Sequence, residues 1–252
     1  MSPAARSGLF LVSAAGLAVL LGLALGGLPG FDGPLGDTAK LIATHAVAQR
    51  KASNVVIDVA FDYRALDTLG EEFMVFVAAV GAVVLLRTTR DERDEAGSAE
   101  LEARRPPETS DLLRLLGTVL APLTVVLGVY VVSHGQLSPG GGFQGGVVVA
   151  AAVVVVYVAG QHVAVPRGGP IELTEVVESA GAAGFAIVGV GGLIFAAAFF
   201  ENFIDPGSQG SLLSGGTIPL ANVAVGLEVA GALVLVLVEL LDQVIFRRGG
   251  GK

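Results

Sequence analysis

Ser133-His134-Gly135-Gln136-Leu137-Ser138-Pro139-Gly140-Gly141-Gly142-Phe143-Gln144-Gly145-Gly146 separates two long apolar runs. One hydrophobic segment stops at Ser133 and the next begins at about Phe143. Pro139 to Gly142 are four residues that break or weaken a helix. Irregular backbone at or near membrane depth survives only where protein buries it or water reaches it. The stretch is therefore a tight turn at a membrane surface or a packing site for a neighbouring subunit. Pro139, Gly140, Gly141, Gly142, Phe143, Gly145 and Gly146 are its packing and subunit-contact candidates.

The apolar runs on either side belong to a larger pattern. The chain has 252 residues, 53% hydrophobic and 15% charged, with a mean hydropathy of +0.74. A soluble domain carries nearer a quarter charged residues. The sequence predicts an all-α polytopic membrane protein with six transmembrane helices. They lie at Leu9–Leu28, about Leu69–Arg87, Leu112–Ser133, about Phe143–Val163, about Val176–Phe200 and about Ile218–Phe246, each near the ~20 residues that cross a bilayer core. The 36 glycines suit close helix packing in lipid, and Gly22/Gly26 and Gly142/Gly146 form GxxxG pairs. Arg6 and Ala24-Leu25-Gly26 also allow a signal peptide, but the run of the first span is longer than a usual h-region.

Three segments divide the chain: a two-span module at 1–90, a charged linker at 91–110 with Pro106-Pro107, and a four-span domain at 111–252. Ala52–Leu66, between spans one and two, is too short and polar to cross and reads as an interfacial helix. Placing both termini, the Arg87–Arg114 loop and the Arg167 loop on one side collects eleven of the basic residues there and leaves Lys40, Arg50, Lys51 and Arg64 opposite. The positive-inside rule then puts both termini in the cytoplasm.

No Cys is present, which excludes disulfides, thiolate zinc and iron–sulfur ligation in this chain. A formal charge of -8 argues against nucleic acid as a partner. Gly140, Gly142 and Gly145 match G-x-G-x-x-G without the strand that a dinucleotide site needs. His134 and His162 fall at opposite faces and do not share a haem. Neither a cofactor nor a metal site is expected.

Chemistry rests on acids in apolar surroundings. The uncharged run Phe73–Leu86 covers only about 21 Å, so Glu71 and Glu72 are drawn towards the membrane, with Asp67 before them. Carboxylates at that depth point to an ion or proton path. Alternatively, Thr68 is the N-cap of a capping box completed by Glu71. Glu228, in the middle of span six, needs a partner or a proton. It reads as a proton-exchange group or as a neutral packing residue. Glu239 and Asp242 read as surface charges beside Arg247 and Arg248, and Glu178 as a helix-terminus charge. His134 is a proton-carrier candidate or an interfacial histidine.

Two stretches together resemble a known family. Gly135–Gly146 resembles the signature of the MrpB or MnhB type of membrane protein from multisubunit Mrp sodium/proton antiporters, a likeness extending over about Leu112–Phe246. Asn54-Val55-Val56, Asp62-Tyr63-Arg64 and Leu66-Asp67-Thr68-Leu69-Gly70-Glu71 resemble an MbhE-type module that often ends the MrpA protein. Family members usually carry His where this chain has Gln136, and often a basic residue where Glu228 stands. The resemblance implies a transporter subunit rather than an enzyme. Its partners are then the other Mrp-type subunits (the A, C, D, E, F and G types), membrane lipid, Na⁺ and H⁺. A hydrogenase-type membrane arm and a purely structural scaffold are the alternatives. Lys40, Lys51 and Lys252 all lie outside the apolar cores, so this chain is not expected to pump alone.

Overall fold

The computed structural model describes residues 3–28, 33–86, 109–160 and 169–249, with the side chains of 3, 6, 169–171 and 241–249 outside that description. Among the described residues every regular element is a helix, with no strand. In order come α1 (Pro3–Gly26), α2 (Asp37–Arg50), the single turn α3 (Val55–Asp58), a π-helix (Val59–Tyr63), α4 (Ala65–Leu86), α5 (Asp111–Ser133), α6 (Gly142–Val158), α7 (Gly169–Phe195) and α8 (Ile218–Gly249). Five of the helices are long and apolar enough to cross a membrane, and α6 is a shorter apolar helix. His162, Arg167 and residues 91–108 of the charged linker lie outside the described residues.

The chain divides into two compact units, residues 1–41 and 42–252. In the first, α1 is apolar on all sides and none of its spanning window is buried within the chain. Gly22 and Gly26 have nothing within 4 Å of an added Cβ. Within the first unit, this GxxxG pair has no packing partner among the described residues.

The second unit is built around α8, which packs against α4, α5, α6, α7 and the π-helix and has 56% of its spanning window buried. Small residues let the backbones approach, the usual basis of helix association in lipid. A Cβ at Gly142 would lie 2.6 Å from Val225 Cβ on α8, and one at Gly128 would lie 2.8 Å from Gly145 O. The α5–α6 and α6–α8 seams therefore run along the glycines that follow the hinge. Ser110 starts α5 by accepting a hydrogen bond from Leu113 N at 3.3 Å, a capping role that suits serine. At 17 residues, α6 covers about 26 Å. It ends at Val158, short of the expected Val163, because Ala159 and Gly160 leave the helix, with Gly160 at φ 73°.

Residues 52–66 are helical in part, with Val56, Arg64 and Leu66 exposed and one face turned inward. Ile57, Phe61 and Ala65 are buried with Phe185, Phe200, Ile218 and Val225 in the apolar core. Burying these side chains against α7 and α8 removes more apolar area from water than an exposed amphipathic turn would. Span five also ends earlier than Phe200. After Phe195 the chain turns back, and Phe200 N donates to Gly189 O at 3.1 Å. The ring of Phe200 (φ 63°) lies tilted against Phe185 at 4.9 Å, and Phe185 meets Phe61 edge-on at 5.8 Å.

Candidate functional site

The hinge is held by this chain itself. Gln136, fully buried, donates from Nε2 to Ser133 O and to Leu212 O, while its backbone carbonyl accepts from Ser53 N at 2.8 Å. Asn54 Nδ2 donates to Gly135 O at 2.8 Å and to Ser138 O at 3.1 Å. Asn222 of α8 accepts from Gly142 N at 2.9 Å, capping α6 from another helix. Gly141, at φ 136°, has no room for a side chain, since a Cβ there would sit 2.7 Å from Ile57 Cδ1. Gly141, Gly142, Gly145 and Gly146 are buried, Gly140 and Phe143 are half-buried, and Pro139 is exposed. The glycines read as packing residues pack within the chain, and the segment around Asn54 supplies the partner.

The acids separate sharply by face. Glu71 is exposed, while Glu72 is buried. The capping-box reading fails, because α4 starts at Ala65 and Thr68 Oγ1 instead donates back to Ala60 O at 2.6 Å. Asp67 is an exposed partner of Arg64, whose Nε donates to Asp67 Oδ2 at 2.5 Å. His134 ends α5, half-buried and stacked 4.1 Å from the Tyr130 ring.

Glu72 on α4, Glu178 on α7 and Glu228 on α8 are all buried, with exposures of 2%, 3% and 0%. The Glu72 and Glu228 carboxyls face each other, and Glu228 lies within electrostatic reach of Glu178. No donor among the described residues satisfies either oxygen of Glu72 or of Glu228, and Glu178 Oε1 has no partner among them either. The charges acting on the three are other carboxylates, Glu71 on Glu72 and Glu175 on Glu178, with no Lys or Arg among them. Such a group demands a proton or a small cation, because buried uncompensated carboxylates cost several kcal/mol each.

Close packing enforces this geometry. A Cβ at Gly181 would lie 2.6 Å from Ala224 O and would strike Glu228 N, while one at Gly231 would lie 2.8 Å from Glu178 Cβ. The absence of two side chains thus brings the α7 and α8 acids together. Glu178 is accordingly not a helix-terminus charge. Glu239, read as a surface charge, is only 6% exposed, and the Asp242 side chain lies outside the description. Glu178 was legible as a glutamate amid small residues, three positions before Gly181. Its inward face was set by the partner helix.

A second acid group sits before α4, outside the spanning helices. Asp58 is fully buried and neither of its oxygens accepts a hydrogen bond among the described residues. The π-helix brings Asp62 one turn below it. Arg50 Nε of α2 pairs with Asp62 Oδ2, and the Arg50 guanidinium lies 5.2 Å from the Tyr63 ring centre. Burial and then the Asp62 charge push Asp58 up to about 7, with Arg50 opposing. Burial pushes Asp62 up to about 6, with Arg50 opposing and Glu201 adding to the rise. The reading of 52–66 as an interfacial helix gave Asp58 no role, and Asp62 stood out only within the Asp62-Tyr63-Arg64 motif.

Residues 112–235 match the family described as a domain related to the MnhB subunit of Na⁺/H⁺ antiporter. An uncharacterised protein of Methanocaldococcus jannaschii is 31% identical over 200 residues, covering 71% of this chain and 74% of that protein. A chain in the structure of the membrane-bound sulfane sulfur reductase, an archaeal respiratory membrane complex, is similar to 94% of this chain over 98% of its own length, with a TM-score of 0.70 and 27% identity. The same fold recurs in the structure of the Mrp complex from a Dietzia species, with a TM-score of 0.67 and 24% identity, covering 95% of this chain and 26% of that one.

Proposed function

Given that this chain belongs to the MnhB-related family of Na⁺/H⁺ antiporter domains, we propose that it is a membrane subunit of a multisubunit cation/proton antiporter and carries part of the ion route. The observation that supports the reading most directly is the group Glu72, Glu178 and Glu228. Three helices each place one buried carboxyl there, and no cation among the described residues offsets them. In a low-dielectric interior such a group exchanges protons or binds a small cation, and it changes charge when it does so.

Glu72 and Glu228 are the exchanging pair in this reading, and Glu178 is the third acid that tunes it. Glu71, exposed on the apolar α4 surface, meets a partner subunit or lipid headgroups. The chain holds the route and does not drive it, since its Lys residues lie outside the spanning helices. Residues 1–90 act as the MbhE-like module and 111–252 as the MrpB/MnhB-like domain of one fused polypeptide, with Mrp-type partners of the A, C, D, E, F and G types. Both termini lie in the cytoplasm of a prokaryotic cell by charge asymmetry.

The test is Na⁺-dependent proton exchange by the assembled complex in inverted vesicles. Glu72→Gln and Glu228→Gln should each remove exchange while assembly persists. Full exchange in both variants would leave the acids as packing residues only.

A second reading has one specific observation behind it. The whole chain aligns with nearly the full length of a single chain of the sulfane sulfur reductase, which favours a membrane arm of a respiratory complex. Purification of the native assembly separates the two: redox subunits carrying iron–sulfur clusters would indicate the respiratory arm.

A further inference from the structure

Asp58 is an unusual residue to bury. It is a carboxylate with no solvent exposure and no donor to either oxygen among the described residues, placed on a helical turn outside the spanning segments. The charged and titratable groups that face this pair come from three elements. Asp62 lies on the adjoining π-turn, Arg50 reaches in from α2 to pair with Asp62, and Tyr63 lies beneath the Arg50 guanidinium. Glu201, from the segment between α7 and α8, acts on Asp62. When both aspartates are ionised the pocket has two negative charges against one fixed positive charge, with Glu201 adding to the excess. One further positive charge balances the pair.

The position of the pocket has a consequence. Thr68 Oγ1 donates to Ala60 O at 2.6 Å, clamping the π-helix onto the first turns of α4. Glu72 lies one helical turn beyond Thr68 on the same face. The turn that carries Asp58 and Asp62 is therefore tied to the helix that carries Glu72, and Phe61 of that turn meets Phe185 of α7 edge-on.

We infer that Asp58 and Asp62 bind one exchangeable proton between them, with Arg50 as the fixed counter-charge, and form the proton-accepting mouth of the route that leads to Glu72. The mouth rests on the reading proposed above, whereas proton binding by the pair does not. Binding is a simple equilibrium: the carboxylate pair takes a proton from water to give one carboxylic acid and one carboxylate, and Arg50 stays paired with the latter. The burial-raised values of about 7 and about 6 place this exchange near neutral pH.

The experiment has two arms. Infrared difference spectra of the full chain in detergent, recorded between mildly acidic and mildly alkaline pH, should show a protonated-carboxyl band that fades with a midpoint near neutrality. Asp58→Asn should remove it, Asp58→Glu should retain it at a shifted position, and Arg50→Gln should move its midpoint to higher pH. An unchanged band in Asp58→Asn overturns the proton site. In the second arm, Asp58→Asn in the assembled complex should slow exchange most at the pH where the pair is half-loaded. A pH profile identical to the parent's overturns the mouth. Failure of the underlying reading looks different: Glu72→Gln would then leave exchange intact while the Asp58 band persists.

Discussion

The two acid groups of this chain differ in one respect, the presence of a cation. Asp62 is held by Arg50 on a turn before α4. Glu72, Glu178 and Glu228 sit among the spanning helices with only other carboxylates acting on them. The outer pair already has Arg50 against one of its two charges and needs one proton to balance the other. The inner group has no such counterweight among the described residues, and in the function proposed above a proton or small cation supplies it. An acid's role thus follows from what the neighbouring helices bring to it rather than from acid content alone.

The sharpest way to break this contrast is to remove the inner charges. Glu228→Gln should lower exchange by the complex by about 100-fold or more, the scale of a lost proton-transfer group. Glu71→Gln, on the exposed face, should lower it far less. Equal losses in vesicle assays would erase the distinction between the two faces of α4.

Next in size is a change that forces the inner helices apart. Gly142→Leu drives a side chain into Val225 and Asn222 O, where even a Cβ lies 2.6 and 2.7 Å away. Overpacking of this kind costs about 1–3 kcal/mol or more. The yield of monodisperse chain should fall, and the detergent-solubilised remainder should melt at lower temperature. Asn222→Ala should cost about 1–3 kcal/mol as well, since Gly142 N loses its acceptor in a buried place. Thermal melting of that variant isolates the tertiary cap from the packing.

The outer pair should give the smallest effect, visible as a slope. Asp58 rises from 3.8 to about 7 on folding, so the folded chain favours its protonated form. The contribution to stability is complete below about pH 4 and is lost as pH rises through about 7. Asp58→Asn cannot ionise, and its melting temperature should stay flatter across that window than the parent's. If the two profiles superimpose, Asp58 is not held in the buried setting described.

Much of the architecture was legible in the linear chain. Long apolar runs impose helices in lipid because every backbone polar group must be satisfied within its own segment. Pro139 to Gly142 impose a break because they cannot continue one. Glu228 stood out as an acid far from any basic residue of its span. The boundaries were less legible. Thr68 and Glu71 fit the capping pattern, yet α4 begins a turn earlier at Ala65, which puts Thr68 inside the helix, and its hydroxyl donates to Ala60 O. Residues 52–66 carry an amphipathic signature, and that signature does not distinguish a membrane surface from a protein surface.

Composition and periodicity by themselves determined that this is a helical membrane protein with acids at depth, because a local run of side chains sets whether a segment can live in lipid. Only the tertiary structure decided which of Glu71 and Glu72 turns inward, that Glu178 joins Glu228, and that Asn54 and Asn222 hold the glycine hinge. Those choices depend on residues far apart in sequence, such as Gly181 against Glu228 and Gly142 against Val225. No local pattern records which helix will arrive at a given face.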